Sequence, residues 1–205
     1  AVGAEVNYSK IITIAGSWVL CPILIMVLSY LLSHVMGFIL RRLQYGAMLV
    51  QNAIGWLAIF SACYVAYSMG ANNAGNAVGP IANLGIVPTK GLLLIGGVAI
   101  AIGAATYGRK VADTVGKGIT PLDIPGAFVA QISSAFGMHL FSMLGIPVST
   151  SSAIVGAVVG VGLVKGANAI RRKTIVTIMV GWVFTPILAG VSSFLLYRLM
   201  NLFLT

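Results

Sequence analysis

The sequence predicts an all-α, polytopic helical membrane protein, and three observations carry that prediction. Of its 205 residues, 59% are hydrophobic and only 7% charged, with a mean hydropathy of +1.04. A soluble domain carries about 25% charged residues. The apolar residues fall in long runs, 11–32, 47–69, 91–107, 126–148 and 174–204, nearly free of charge. Runs of about 18 or more read as transmembrane helices. The basic residues cluster in short stretches between the runs, so the net charge of +9 is a topology signal. They do not interleave with aromatics on one face. The expected partner is therefore the lipid bilayer and not nucleic acid.

In chain order, helix one is expected over 9–40, helix two over 47–70, helix three over 90–107 and a final helix over 172–204. Residues 123–165 form a different unit. Their two apolar halves are split at "GIPVSTSS". The second half, 153–164, is only about 18 Å as a helix, too short for a hydrocarbon core of about 30 Å. The segment is expected to be a re-entrant hairpin, with Asp123 as the N-cap of its first arm.

The first and last helices are alike. At a constant offset of 164, Ile11, Thr13, Ile14, Trp18, Val19 and Pro22 match Ile175, Thr177, Ile178, Trp182, Val183 and Pro186, and five later positions also agree. The shared Trp-x-x-x-Pro at one phase marks a repeat, with a proline able to kink each copy. Residues 1–43 then read as the closing helix of a preceding repeat and 44–205 as a complete second one. The front of the first repeat is expected on a missing segment or an equivalent partner chain. Such repeats are common in secondary transporters. A homodimer is compatible with the same reading.

Nine basic residues (Arg41, Arg42, Arg109, Lys110, Lys117, Lys165, Arg171, Arg172 and Lys173) fall on one side of this topology, against Lys10, Lys90 and Arg198 on the other. The positive-inside rule puts the Arg41–Arg42 and 109–117 loops in the cytoplasm and both termini outside a cell membrane. The repeat crosses an odd number of times, so its sister is expected to be inverted.

The apolar runs contain no Asp or Glu. This argues against acid–base catalysis and against a proton relay built from this chain alone. His34 and His139 have no metal-ligand spacing and read as packed or interfacial residues. Two polar clusters remain. "GANNAGNAVGP" (70–80) brings Asn72, Asn73 and Asn76 together among glycines and Pro80, and predicts a discontinuous, unwound helix lining a cavity. Its amides offer carbonyl oxygens to a cation and N–H groups to an anion. The second cluster, Ser149, Thr150, Ser151 and Ser152, follows Pro147 at the hairpin turn. Its hydroxyls and the free N–H groups of a starting helix make an anion site without a basic side chain. Gln131, Ser133 and Ser134 on the other arm are weaker candidates.

"GANNAGNAVGP" resembles the GAND-x-x-NA-x-G signature of the inorganic phosphate transporter (PiT) family, the sodium- or proton-coupled phosphate symporters. "GIPVSTSSAIVGAVVG" resembles that family's second signature, and "SWVLCP" and "GWVFTP" resemble its repeat-closing helices. The resemblance implies an inverted-repeat symporter, not an enzyme, that takes up inorganic phosphate with sodium or a proton. Sodium would be cargo, and no organic cofactor is implied. Ser149, Thr150, Ser151, Asn76 and Gln131 are the substrate-binding candidates. Asn72, Asn73, Asn76 and Thr150 are the candidate sodium ligands. Asn73 stands where the family signature has aspartate, and Ser152 where it often has histidine. A sulfate or other oxyanion permease of the same family is an alternative, since both anions are tetrahedral. A non-transporting membrane assembly subunit is the alternative from another class, with "GAVVGVG" as a packing surface.

Overall fold

The structure, a computed structural model, describes residues 7–42, 47–82, 84, 85 and 87–204. The expected repeat boundary at 43–44 lies outside the described residues. The described chain is helical: α1 (Tyr8–Arg42), α2 (Ala47–Ala82), α3 (Thr89–Gly118), α4 (Ile124–Met143), α5 (Thr150–Val164), a short 3-10 turn (Ala167–Ala169) and α6 (Arg172–Leu204). Five of these, all but α5 and the turn, are long and apolar enough to cross a membrane.

The α4–α5 hairpin is the centre of the fold. It has α1 packed on one flank and α2 on the other, with α3 outside α2. The buried apolar core lies mainly on the hairpin, in Val129, Ala135, Met138, Phe141, Ala153, Ala157 and Val158. The α1–α5 contact is very close. A Cβ on Gly156 would run into the Pro22 carbonyl, and one on Gly160 into the Met26 carbonyl. These two glycines, four apart on one face of α5, let backbone lie on backbone, as small residues do between membrane helices. Ser29 Oγ uses the approach to donate across it to the Ala157 carbonyl at 2.7 Å. Ile25 fills the space left by Gly137 on α4.

Two expectations are corrected here. Residues 70–80 are not unwound, because α2 is helical through Ala82 with Pro80 in its last turns. Glycine and asparagine each weaken a helix by only about 1 kcal/mol or less. A broken helix in an apolar medium strands several backbone groups, each costing more. Residues 109–117 are likewise not a loop but the end of α3. Thr114 Oγ1 donates to the Lys110 carbonyl and Lys117 pairs with Asp113 one turn away at 2.8 Å. At 30 residues, α3 is about 45 Å long and outruns the hydrocarbon, so its charged end stays wet.

The base of the hairpin is tied by one cation. Lys165 Nζ donates to the Pro121 carbonyl at 3.0 Å and to Asp123 Oδ1 at 2.8 Å. Asp123 occupies the N-cap position of α4, but its carboxylate serves Lys165 and makes no side-chain cap. Partial burial pushes its carboxyl up. The hydrogen bond and charge of Lys165, with backbone N–H groups, outweigh that and hold it below its ordinary value of 3.8. The contribution is therefore complete above about pH 4 and is lost as pH falls through the lower folded value. The pair is largely exposed, so the whole effect is at most about 1 kcal/mol. Thermal melts at about pH 7 and pH 3 should show Asp123→Asn lowering stability slightly at the higher pH and converging with the parent at the lower.

The final helix forms a compact unit of its own, residues 171–205. It begins 164 positions after α1, and each helix carries its internal proline, Pro22 or Pro186, at the same distance from its start.

Candidate functional site

The hairpin turn is written in three residues. Gly145 adopts φ +68°, a backbone state that glycine enters without penalty. Its N–H bonds the Ser142 carbonyl at 3.0 Å, and the Ile146 N–H bonds the Phe141 carbonyl at 3.0 Å, closing α4 in a Schellman motif. Pro147 then forbids further helix. Val148 is buried, and Ser149, in an extended conformation, caps α5 by accepting the Ser152 N–H on Oγ at 3.3 Å.

Asn72 of α2 meets this turn. Its Nδ2 donates to the Val148 carbonyl at 2.8 Å, and its Oδ1 accepts the Val148 N–H at 3.4 Å. One side-chain amide thus pairs both backbone groups of a residue that neither helix can serve. Asn72 is itself only 5% exposed. Its second Nδ2 hydrogen goes to Asn73 Oδ1 at 3.2 Å. Asn73 Oδ1 also accepts the Thr150 hydroxyl at 3.0 Å, so both of its lone pairs are taken. Ser149 and Ser151 share a hydroxyl bond at 3.0 Å, and Ser152 Oγ, fully buried, donates back to the Ser149 carbonyl.

The structure therefore brings Asn72, Asn73, Ser149, Thr150 and Ser151 to one place. Among the described residues the N–H groups of Thr150 and Ser151 have no acceptor. They carry the positive end of the α5 dipole. Asn76 stands one turn further along α2 than Asn72, exposed and without a hydrogen bond among the described residues. Gln131 is not part of this group. It accepts the Ser61 hydroxyl at 2.6 Å, and Ser61 lies eleven positions from Asn72, about 16 Å along α2. Ser133 and Ser134 are buried and bond their own helix backbone. Among the described residues, no cluster of three or more His, Cys, Asp or Glu able to hold a metal occurs.

Reasoning from sequence missed the lower rungs of the α2–α4 seam: Ser61 on Gln131, and Tyr64 on His139 Nδ1 at 2.8 Å. A signal was present. Ser61, Tyr64, Ser68 and Asn72 recur at helical spacing, the polar face of a helix whose other faces are apolar.

Apolar helices around a hairpin define a multi-pass membrane protein with a polar cluster, of amides and hydroxyls, at the hairpin tip. The chain belongs to the phosphate transporter family, whose sequence profile matches residues 1–193. It is 32% identical, over 97% of its length, to a protein of Methanocaldococcus jannaschii that carries the provisional name phosphate permease, and covers 64% of that protein. It is 34% identical to human "Sodium-dependent phosphate transporter 2" over 67% of its own length and 23% of the human chain. Among solved structures it superimposes on "The sodium-dependent phosphate transporter" with a TM-score of 0.75 and 26% identity. That match covers 90% of this chain and 65% of the other. The chain thus spans less than two thirds of the length of these relatives.

Proposed function

We propose that the protein of which this chain forms part takes up inorganic phosphate by cation symport, with sodium as the coupling ion, through alternating access. One observation carries the reading. The start of α5 presents the unbonded N–H groups of Thr150 and Ser151 at the hairpin tip, beside the hydroxyls of Ser149, Thr150 and Ser151 and the Asn73 amide. Phosphate oxygens need such donors when they leave water. The names of the relatives, phosphate permease and sodium-dependent phosphate transporter, support the same substrate and ion.

The hydrogen bonds suggest how the two ligands are linked. Ser149, Thr150, Ser151 and the free α5 N–H groups hold the phosphate, with Asn76 at its edge. When Thr150 turns its hydroxyl to phosphate, it releases one lone pair of Asn73 Oδ1. Sodium then binds that oxygen together with the Asn76 and Asn72 carbonyl oxygens. The amide at position 73 adds no negative charge, so the neutralising charge comes from phosphate itself. The hairpin is re-entrant, opened from the cytoplasmic side, with both ends of this chain outside. A second, inverted repeat completes the site, and rocking of one bundle against the other exposes it to each side in turn.

Thr150→Ala is expected to lower phosphate uptake at least about tenfold, the loss of one hydrogen bond to a charged ligand. Asn76→Ala should reduce it further in sodium than in its absence. Radiolabelled phosphate uptake into proteoliposomes measures both. Unchanged uptake in both variants at equal expression would overturn the assignment, and preferential uptake of sulfate in competition would transfer it to that anion.

A further inference from the structure

We infer that His139 is a proton-responsive control on anion affinity at the hairpin tip: its imidazole, charged at low pH, draws the anion to the start of α5. This rests on the reading of the tip as an anion site. His139 is the only histidine, and with no Asp, Glu, Lys, Arg, Tyr or Cys beside it the only titratable side chain, on the hairpin arms α4 and α5. It is half-buried on the seam with α2, six positions before the hairpin turn at Gly145, about 9 Å of helix.

The groups facing it are known from each element packed against α4. From α2 come Tyr64, whose hydroxyl is 2.8 Å from Nδ1, and Tyr67, whose ring meets the imidazole edge-on at 5.6 Å. Helix α2 carries no charged residue, and α5 no titratable one. Helix α1 meets α4 through Ile25 against Gly137, and its titratable groups on that stretch are Cys21, Tyr30 and His34, the rings of the last two meeting edge-to-face. A charge on His139 is therefore opposed by no neighbouring cation and neutralised by no neighbouring anion.

Both protonation states fit the geometry. The neutral ring accepts the Tyr64 hydroxyl on Nδ1. The protonated ring donates from Nδ1 to the same oxygen. Histidine is the side chain that changes charge between about pH 5 and 8. Above His139 the seam stays polar. Ser68 on α2 and Ser142 on α4 bury hydroxyls that have no hydrogen-bond partner, and they fall between the Tyr64–His139 rung and the Asn72–Val148 rung. Unpartnered buried hydroxyls are uncommon. Here they supply dipoles free to turn with the charge below them, along the line from imidazole to anion.

Asn72, which meets the hairpin tip, stands eight positions beyond Tyr64, about 12 Å along α2; at that separation and an effective dielectric near 20, one unit charge changes anion affinity about tenfold. The test is phosphate affinity of the full-length transporter in proteoliposomes from about pH 5.5 to 8.5, for the parent, His139→Gln and Tyr64→Phe. The titration of phosphate itself is common to all three and cancels in the ratio. The parent is expected to bind about tenfold tighter than His139→Gln at the acid end and equally at the alkaline end. Tyr64→Phe keeps the ring volume, so it should retain the pH effect with a displaced midpoint. A parent-to-variant ratio that is flat with pH would overturn the inference. If His139→Gln does not fold, a Tyr64→Phe profile identical to the parent overturns it instead. Absence of saturable phosphate binding to the parent at every pH would overturn the anion-site reading beneath it.

Discussion

Replacing Asn72 with leucine is expected to remove about 3–5 kcal/mol of stability and abolish phosphate uptake. The amide pairs both backbone groups of Val148 in a place that solvent does not reach. Each group left unsatisfied costs about 1–3 kcal/mol, and an apolar surrounding pushes that toward the upper end. The same change frees Asn73 Oδ1 from one donor, so the Thr150 contact loses its fixed partner. Asn72→Asp separates the two halves of the clamp. It keeps an acceptor for the Val148 N–H but sets a carboxylate oxygen against the Val148 carbonyl, and should be at least as damaging as leucine. Thermal unfolding in detergent reads the stability, and uptake reads the site. A leucine variant with unchanged melting and transport would show that the turn holds itself.

Gly160→Val, or Gly156→Val, is expected to be comparably severe for a different reason. The new side chain would meet backbone of α1, the Met26 carbonyl and Tyr30 N–H at one position and the Pro22 carbonyl at the other. Backbone cannot change rotamer, so α1 must move away as a body. Overpacking costs about 1–3 kcal/mol and occasionally more. Separation also breaks the Ser29 bond to Ala157, about a further 1 kcal/mol. Gly97 on α3 has nothing within 4 Å of its added Cβ. Gly97→Ala should therefore hold or raise the melting temperature, through a helix propensity gain of about 1 kcal/mol. Equal effects at the three positions would show that glycine acts only through helix propensity and not through close approach.

These two variants mark what local sequence does and does not reveal. The outer limits of the helix–turn–helix at 123–165 were legible to within a residue: Asp123 precedes α4 and Lys165 follows α5, with Ser149 capping the second helix. Gly145, Pro147 and the serines act through their own backbone, so their pattern carries the turn. The end helices were legible for the same reason, as apolar runs with an internal proline. The reading of 70–80 as unwound misjudged what the asparagines do. Their amides serve a turn 76 positions away, while α2 keeps its own ladder of hydrogen bonds. Gln131 looked like a member of the tip cluster because both lie on the hairpin segment. Helix geometry puts them about 16 Å apart, and Ser61 occupies its acceptor.

The sequence by itself determined a helical membrane protein, the limits of its first and last helices and of the hairpin segment, and the two polar clusters. Hydropathy, glycine and proline act on neighbouring residues, and neighbours are what a sequence lists in order. Only the tertiary structure decided which cluster does what. Parallel packing of α2 on α4 laid Asn72 against Val148, Asn73 against Thr150 and Tyr64 against His139. Those pairings depend on the phase and depth at which two helices meet. The close approach of α5 to α1 is likewise a tertiary matter, resting on glycines whose importance appears only once the opposing backbone is in place.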